Sequence, residues 1–339
     1  MMKDFSMLQF SNEVFFYTRI LPFFESSDEK ISDLFPRYYN SLLQYNTSSD
    51  EAVIVLENLI ASGYSPTEKK SFLDYHHLRL MVRKLGVFHA YSYHMRQEAA
   101  DKFHAMILCQ LETDSNVLLQ FSCFRECVMR GFRRLTTDPC YRSKIQNLSH
   151  LIENCDEVYR SILTGDERNC THILCHGDFL RNNVLFAYDE GKPVDAKIVD
   201  LASWRFASPV IDLALLLYLN ADQKMRDKNW DNLIDEYYAA VCGTFPSVRV
   251  PSKNLILAEF KTNAMMAYFI ASFFLPSLIA SDNDDVPGYA DILPSEYKDV
   301  LYTYIPSDLL HQVHEKQGGL RATVALADIL KDIIDRGFV

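Results

Sequence analysis

His176-Gly177-Asp178-Phe179-Leu180-Arg181-Asn182-Asn183-Val184-Leu185-Phe186, followed by Lys197-Ile198-Val199-Asp200-Leu201, is the stretch on which the reading of this chain turns. ILCHGD (173–178) reads as a strand entering a tight turn, NNVLFAY (182–188) as a strand and AKIVDL (196–201) as another. DEGKP (189–193), with Gly191 and Pro193 between two β-rich runs, makes the pair a hairpin. An antiparallel hairpin returns the chain to its starting end. Asp200, closing the second strand, is therefore expected beside Asn183 and near Asp178, so that three oxygen-bearing side chains converge.

Such a set suits phosphoryl transfer. Mg²⁺ is a hard cation that takes carboxylate and amide oxygens, and an acceptor hydroxyl must be oriented and deprotonated. The pattern H-G-D-x4-N, strand, turn, strand, D assigns Asp178 to the acceptor hydroxyl and Asn183 and Asp200 to the metal. His176 braces the loop by hydrogen bonds and Gly177 permits its tight backbone. Each residue alone reads more simply as a turn or helix-cap residue; it is the joint pattern that is specific. A hydrolase using Cys175 and His176 is the weakest alternative, because adjacent strand residues point to opposite faces.

Around this segment the chain reads as mostly helical. Residues 8–22 have helical apolar spacing and are expected to stop at Pro22; 52–57 (AVIVLE) reads as an isolated buried strand. Helical patterns run from Glu68 to about Ser92, over about 98–165, and from Pro209 onward. The apolar run 264–280, broken by Ser272 and Pro276, reads as a buried helix rather than a membrane span. Its aromatics, among them Tyr268, Phe269, Phe273 and Phe274, read as core before they read as a pocket lining.

Composition bounds the rest. The 339 residues suffice for a large core, and 48% hydrophobic with 23% charged residues is ordinary for a globular protein. A net charge of −11 argues against nucleic acid or an anionic membrane as the main partner. The eight cysteines form no CxxC pair, and their scatter fits a reduced, cytoplasmic setting. Cys123 and Cys127 lie four apart on an expected helix, but no His or Cys pair follows at zinc-site spacing, which argues against a metal site there. The N-terminus has neither the apolar run nor the cleavage site of a signal peptide.

HGDFLRNNVLF with KIVDL resembles the catalytic and metal-binding segments shared by aminoglycoside phosphotransferases, choline kinases and protein kinases. With Asn182-Asn183 and the DEGKP turn it looks most like the ecdysteroid kinase-like group with its CHK kinase-like domain. FSNEVFFYTRILP (10–22) resembles that group's F-x-x-E-x-x-F-Y helix, and VIVLENLIASGY (53–64) its V-L-E-D-L-x-x-x-G-Y hinge. LGVFHAYS (85–92) and SPVIDLALLLY (208–218) resemble its L-A-x-F-H-A-x-S and S-P-x-x-D-L-x-x-x-L-Y helices.

The resemblance implies an α/β (α+β), protein-kinase-like fold with a mostly helical C-lobe (58–339) and a truncated N-lobe (1–57). It implies ATP and Mg²⁺ as cofactors and a small hydroxyl-bearing acceptor, ecdysteroid-like or xenobiotic. Glu57, Asn58 and Leu59 would be the hinge that meets the adenine, Glu13 the helix glutamate of the nucleotide site, and Asp212 the anchor of the catalytic loop; His89 would be structural. Departures stand beside it. Larger members have a phosphate-covering turn and a Lys that pairs with the helix glutamate. Here only Lys3 precedes Glu13 and no glycine precedes Gly63. That leaves a short or truncated kinase in competition with a non-catalytic binding protein, and it predicts exposed apolar surface on the strand 52–57. Val199-Asp200-Leu201-Ala202 replaces the usual I-D-F-Q, and Asn58 stands where Asp is common.

Overall fold

The computed structural model describes residues 2–44, 51–68, 71–108, 119, 123–163, 165–282, 285, 287–297 and 306–339. The first helix, α1 (Met2–Phe15), does not end at Pro22. A wide turn over Phe16–Ile20, in which the Leu21 N–H donates to the Phe16 carbonyl five residues back, carries it into α2 (Leu21–Glu25). Proline in a regular helix clashes with the carbonyl four residues before it. The wider turn relieves that clash, so the helix runs on.

The expected strand is β2 (Glu51–Leu56), and it is not isolated. It pairs antiparallel with β1 (Tyr38–Gln44), Ser41 facing Ile54 and Leu42 facing Val53. YYNSLLQ has neither alternation nor β-branched residues, and its two tyrosines alone do not mark a strand. Ile54 and Leu56 pack on the core while Val53 and Val55 are 49% and 45% exposed, so the strand is half-buried and not the buried one expected, and it carries the exposed apolar surface expected of it.

Further on, α3 (Tyr75–Glu98) begins later than its apolar pattern. Asp74 caps it by accepting from the His76 and His77 N–H groups, and Leu73 N–H donates to the Asn220 carbonyl at 2.7 Å. The long helical region divides into α4 (Ala100–Ile107), α5 (Phe124–Thr136), α6 (Gln146–Glu153) and α7 (Cys155–Leu163). Residues 109–118 and 120–122 of that expectation, including Cys109, lie outside the described residues.

Strand β4 (Ile173–Cys175) leads into the hairpin of β5 (Val184–Asp189) and β6 (Lys192–Ile198), which pair from Val184–Ile198 to Asp189–Lys192. Glu190 and Gly191 at the tip both have positive φ, 45° and 75°, the requirement of a tight two-residue turn. Pro193 belongs to β6, at the register irregularity opposite Tyr188, and not to the turn. Two short pairings escaped the sequence: β3 (Tyr64–Ser65) adds to β5, and β7 (Arg205–Ala207) pairs with β4.

The remainder is helical: α8 (Val210–Asn220), α9 (Gln223–Thr244), α10 (Lys253–Ala258), α11 (Phe260–Ser281), α12 (Tyr289–Ile292), α13 (Ser307–Lys316) and α14 (Gly319–Asp335). The architecture is the mixed, mostly helical α+β one expected. Every residue of α8 is buried, and it packs on α11 at the centre of the core. Neither Ser272 nor Pro276 breaks α11, which at 22 residues is the one helix among those described that is long and apolar enough to cross a bilayer. Here 72% of that window is buried within the protein. Tyr268, Phe269 and Phe273 are core, and only Phe274 of the four is exposed.

Helix α3 crosses α9 closely at Gly86, where a Cβ would stand 2.6 Å from the Tyr237 carbonyl oxygen and 2.8 Å from the Ala240 Cβ. Alanine in an open helix position would stabilise by about 1 kcal/mol over glycine. Gly86→Ala is instead expected to destabilise by about 1–3 kcal/mol through overpacking. Urea unfolding checks this, and a variant at least as stable as the parent would refute the close crossing.

Candidate active site

The site is built on a buried carboxylate. Asp212, in the first turn of α8, is fully buried and accepts from the His176 N–H at 2.7 Å and the Gly177 N–H at 2.8 Å. His89 of α3 lies at 3.1 Å from Asp212 Oδ2 through Nε2 and at 2.8 Å from the Tyr237 hydroxyl through Nδ1. Burial opposes the Asp212 charge, but the His89 bond, His176 and the Gly177 N–H outweigh it and hold the carboxyl below its usual range. Burial pushes His89 down in spite of Asp212. The two fit together as an ionised Asp212 and a neutral His89 that donates from Nε2 and accepts from Tyr237.

That anchor fixes the turn after β4. His176 is enclosed; its Nε2 donates to the Val199 carbonyl at 3.0 Å and its Nδ1 accepts from the Asp178 N–H at 3.3 Å. It thus braces the loop against the residue before Asp200 and has no open face for a substrate. Gly177 has φ +84°, and a Cβ there would run into the Ser203 carbonyl oxygen. Only glycine fits.

Asn183 donates through Nδ2 to the Asp178 carbonyl at 2.8 Å and to Asp178 Oδ2 at 3.1 Å. Its own carbonyl accepts from the Val199 N–H at 2.9 Å. These bonds turn the Asn183 side-chain oxygen away from Asp178, with no donor on it among the described residues. Asp200 is exposed and lies two residues past the end of β6, not at the strand's end. Its φ of +63° is a left-handed conformation that costs a non-glycine residue on the order of 1–2 kcal/mol.

The charges are crowded. Burial, then Asp200, raises the Asp178 carboxyl above its ordinary range, opposed by His176, Asn183 and Arg205. Burial and Asp200 push Glu13 of α1 up to about 7, against a hydrogen bond from the Leu201 N–H. Among the described residues no basic side chain pairs with Glu13. The Tyr17 hydroxyl, buried near the same two carboxylates, has no hydrogen-bond partner there and is raised by burial, Glu13 and Asp200.

Glu13, Asp178, Asn183 and Asp200 are thus brought together, while Glu57, Asn58 and Leu59 form a turn after β2. Glu57 accepts from the Ser62 hydroxyl and the Arg37 N–H, which lower its carboxyl. Asn58 caps the Ile60 and Ala61 N–H groups. Leu59 is buried, and its carbonyl accepts from Ser62 and Tyr64. Among the described residues the Glu57 carbonyl and the Leu59 N–H take no hydrogen bond. A cavity of ≈ 730 Å³ adjoins this turn; its walls include Tyr17, Phe35, Tyr38, Glu57 and Lys197, but none of Asp178, Asn183 and Asp200.

Several contributors carried no motif. Asn12 donates to the Ala202 carbonyl at 3.1 Å, Trp204 Nε1 donates to the Asn12 carbonyl at 3.0 Å, and Phe15 stacks on Trp204. These bonds fasten α1 to the loop that carries Asp200. Arg205 and Tyr159 lie close enough to Asp178 to act on its charge or feel it. A tryptophan four residues past Asp200, one of only two in the chain, was the one available signal. The hydrolase alternative fails: Cys175 is fully buried, its Sγ bonds to the Ser208 carbonyl, and burial pushes the thiol well up.

A family model for the ecdysteroid kinase-like family matches residues 2–248. The chain belongs to the ecdysteroid kinase-like family. The match takes in every stretch on which the resemblance rested, from α1 to α8. No curated protein sequence matches it. Among solved structures it is similar to an aminoglycoside phosphotransferase from Alicyclobacillus acidocaldarius subsp. acidocaldarius, with TM-score 0.42 and 13% identity over 94% of this chain and 83% of that one. A second is aminoglycoside phosphotransferase APH(2'')-Ib in its ADP-bound form, with TM-score 0.27 and 14% identity over 74% and 84%.

Ionising Glu13 inside this ecdysteroid kinase-like fold works against folding. The effect is absent below the unfolded carboxyl range, grows as pH rises, and is complete above about 7. Glu13→Gln is therefore expected to stabilise the metal-free protein by on the order of 2 kcal/mol at pH 8 and to be neutral or worse at pH 4.5. Thermal unfolding at the two pH values checks it; a pH-independent difference would contradict the shift.

Proposed function

We propose that this chain is an ATP- and Mg²⁺-dependent phosphotransferase acting on a hydroxyl of a small apolar molecule, ecdysteroid-like or xenobiotic. The observation that carries the reading is the convergence of Glu13, Asp178, Asn183 and Asp200. Two of the carboxyls are raised by burial and by a neighbouring carboxylate, and an amide oxygen stands open beside them. This donor set fits a hard divalent cation: oxygen ligands only, with surplus negative charge. Asn183 and Asp200 would hold the metal, which when bound neutralises phosphate charge.

Asp178, raised above an ordinary carboxylate, is the base that orients the acceptor hydroxyl and takes its proton. His176 and Asp212 hold it in place, and the open Glu57 carbonyl and Leu59 N–H suit the edge of an adenine. Tyr159, which feels the Asp178 charge, packs with Phe124 and Phe269, ring centroids 5.7 and 6.4 Å away. These rings are core, so the apolar, ecdysteroid-like character of the acceptor rests on the family to which the chain belongs. In this reading residues 1–57 supply the N-lobe helix and hinge, 58–339 the C-lobe of a protein-kinase-like fold, and the free thiols suit the cytoplasm.

A second reading is nucleotide binding without transfer. It is favoured by Glu13 having no basic partner among the described residues, since a cation at the phosphates supplies transition-state stabilisation.

Mg-ATP at a hundredfold excess over its Kd should stabilise the protein by about 2.7 kcal/mol, an effect lost in Asp200→Ala. Labelled ATP with a hydroxysteroid panel should give a phosphorylated product. Asp178→Asn should lower that rate by about 10²–10⁴-fold while keeping the thermal shift. Folded protein that is stabilised by Mg-ATP yet transfers nothing would refute catalysis and support the second reading.

A further inference from the structure

Helices α5 and α13 bring together three donors that phosphoryl transfer does not use. Cys123 and Cys127 alone lacked a partner pair at zinc-site spacing; the third donor, His314, comes from near the far end of the chain. The two Sγ atoms and a His314 ring nitrogen all lie within 4.8 Å of one another. All three residues are buried, at 0%, 1% and 6% exposure.

The donors are fixed by their surroundings. Cys127 N–H donates to the Cys123 carbonyl at 3.0 Å, which stacks the thiols on successive turns. The His314 ring packs on Phe273 at 4.8 Å, and its carbonyl accepts from Arg130 at 2.7 Å. Arg130 also donates to the Gln317 and Gly319 carbonyls and the Thr323 hydroxyl, tying the α13–α14 corner to α5. Ligands on one ion, at about 2.3 Å for sulfur and about 2.0 Å for nitrogen, stand about 3.5–4 Å apart, so closure needs about 1 Å of side-chain movement.

We propose that Cys123, Cys127 and His314 form a three-coordinate site for cuprous copper. Thiolates select soft cations. Structural zinc is almost always four-coordinate, and among the described residues this cluster has three members, all of them buried. Charge agrees. Two thiolates, the buried Arg130 guanidinium and one monovalent cation sum to zero, the nearby Glu315 being exposed to solvent. A divalent ion would leave a buried positive charge. Binding releases the two thiol protons to solvent, involves no redox step, and pins α13 to α5.

The test is anaerobic titration of the full chain with Cu(I) against a competing chelator, with X-ray absorption of the loaded protein. One Cu(I) per chain is expected, in a shell of two sulfurs and one nitrogen. Losing an outer-shell partner already weakens metal sites by about 10–100-fold. Cys127→Ser and His314→Gln should therefore weaken binding by more than about 100-fold, while Cys140→Ser and Cys170→Ser, at exposed thiols, leave it unchanged. A shell of any other composition, unchanged affinity in the first two variants, or zinc held more tightly than copper overturns the assignment. The shell and the zinc competition use the parent protein, so they decide the matter even where a variant fails to fold.

Discussion

One carboxylate holds the turn after β4 in place. Asp212 is charged, fully buried and saturated by donors from three directions: the His176 and Gly177 backbone and the His89 ring. A buried charge survives only when its lost hydration is replaced by hydrogen bonds of good geometry. Each donor in turn commits a piece of structure. His89 fixes α3 and, through Tyr237, α9; the two N–H groups fix the turn after β4. Removing one partner of such a charge costs about 3–5 kcal/mol, so the turn has little freedom to take another shape.

From that point the constraint passes along the chain by contact. His176, set by Asp212, grips the Val199 carbonyl and so places the residue after it, Asp200. Asn183 grips both Asp178 and the Val199 N–H. The left-handed backbone at Asp200 and the raised Asp178 and Glu13 carboxyls are all unfavourable in isolation. They persist because the hairpin and the buried network over-determine them. The charge repulsion concentrated at this spot is what the proposed cation would relieve.

The sequence was most legible where the constraint is local. The hairpin, the loop glycine and the roles of Asp212 and His89 follow from residues near one another or from a specific motif. What escaped depends on distant partners. YYNSLLQ is a strand only because β2 lies against it. Pro22 is a local exception, carried into the helix by the wide turn just before it. α11 runs through Ser272 and Pro276 because its neighbours bury it. His314 approaches two cysteines because Arg130 holds the α13–α14 corner, and no spacing rule along one chain encodes that.

The departure at Leu201-Ala202 illustrates how such distant partners preserve a site. The aromatic and amide usual after this aspartate in the family are missing, and the sequence offers no replacement in register. The structure supplies one from outside the motif. Leu201 and Ala202 are buried as small fillers, while Trp204 stacks on Phe15 and bonds to the Asn12 carbonyl, and Asn12 bonds back to Ala202. Two reciprocal hydrogen bonds and a ring stack join α1 to the loop carrying Asp200. Glu13, the next residue after Asn12, therefore cannot shift relative to Asp200 unless this lock opens. The repulsion between those two carboxylates is held at fixed geometry, where a bound cation can discharge it without moving the backbone.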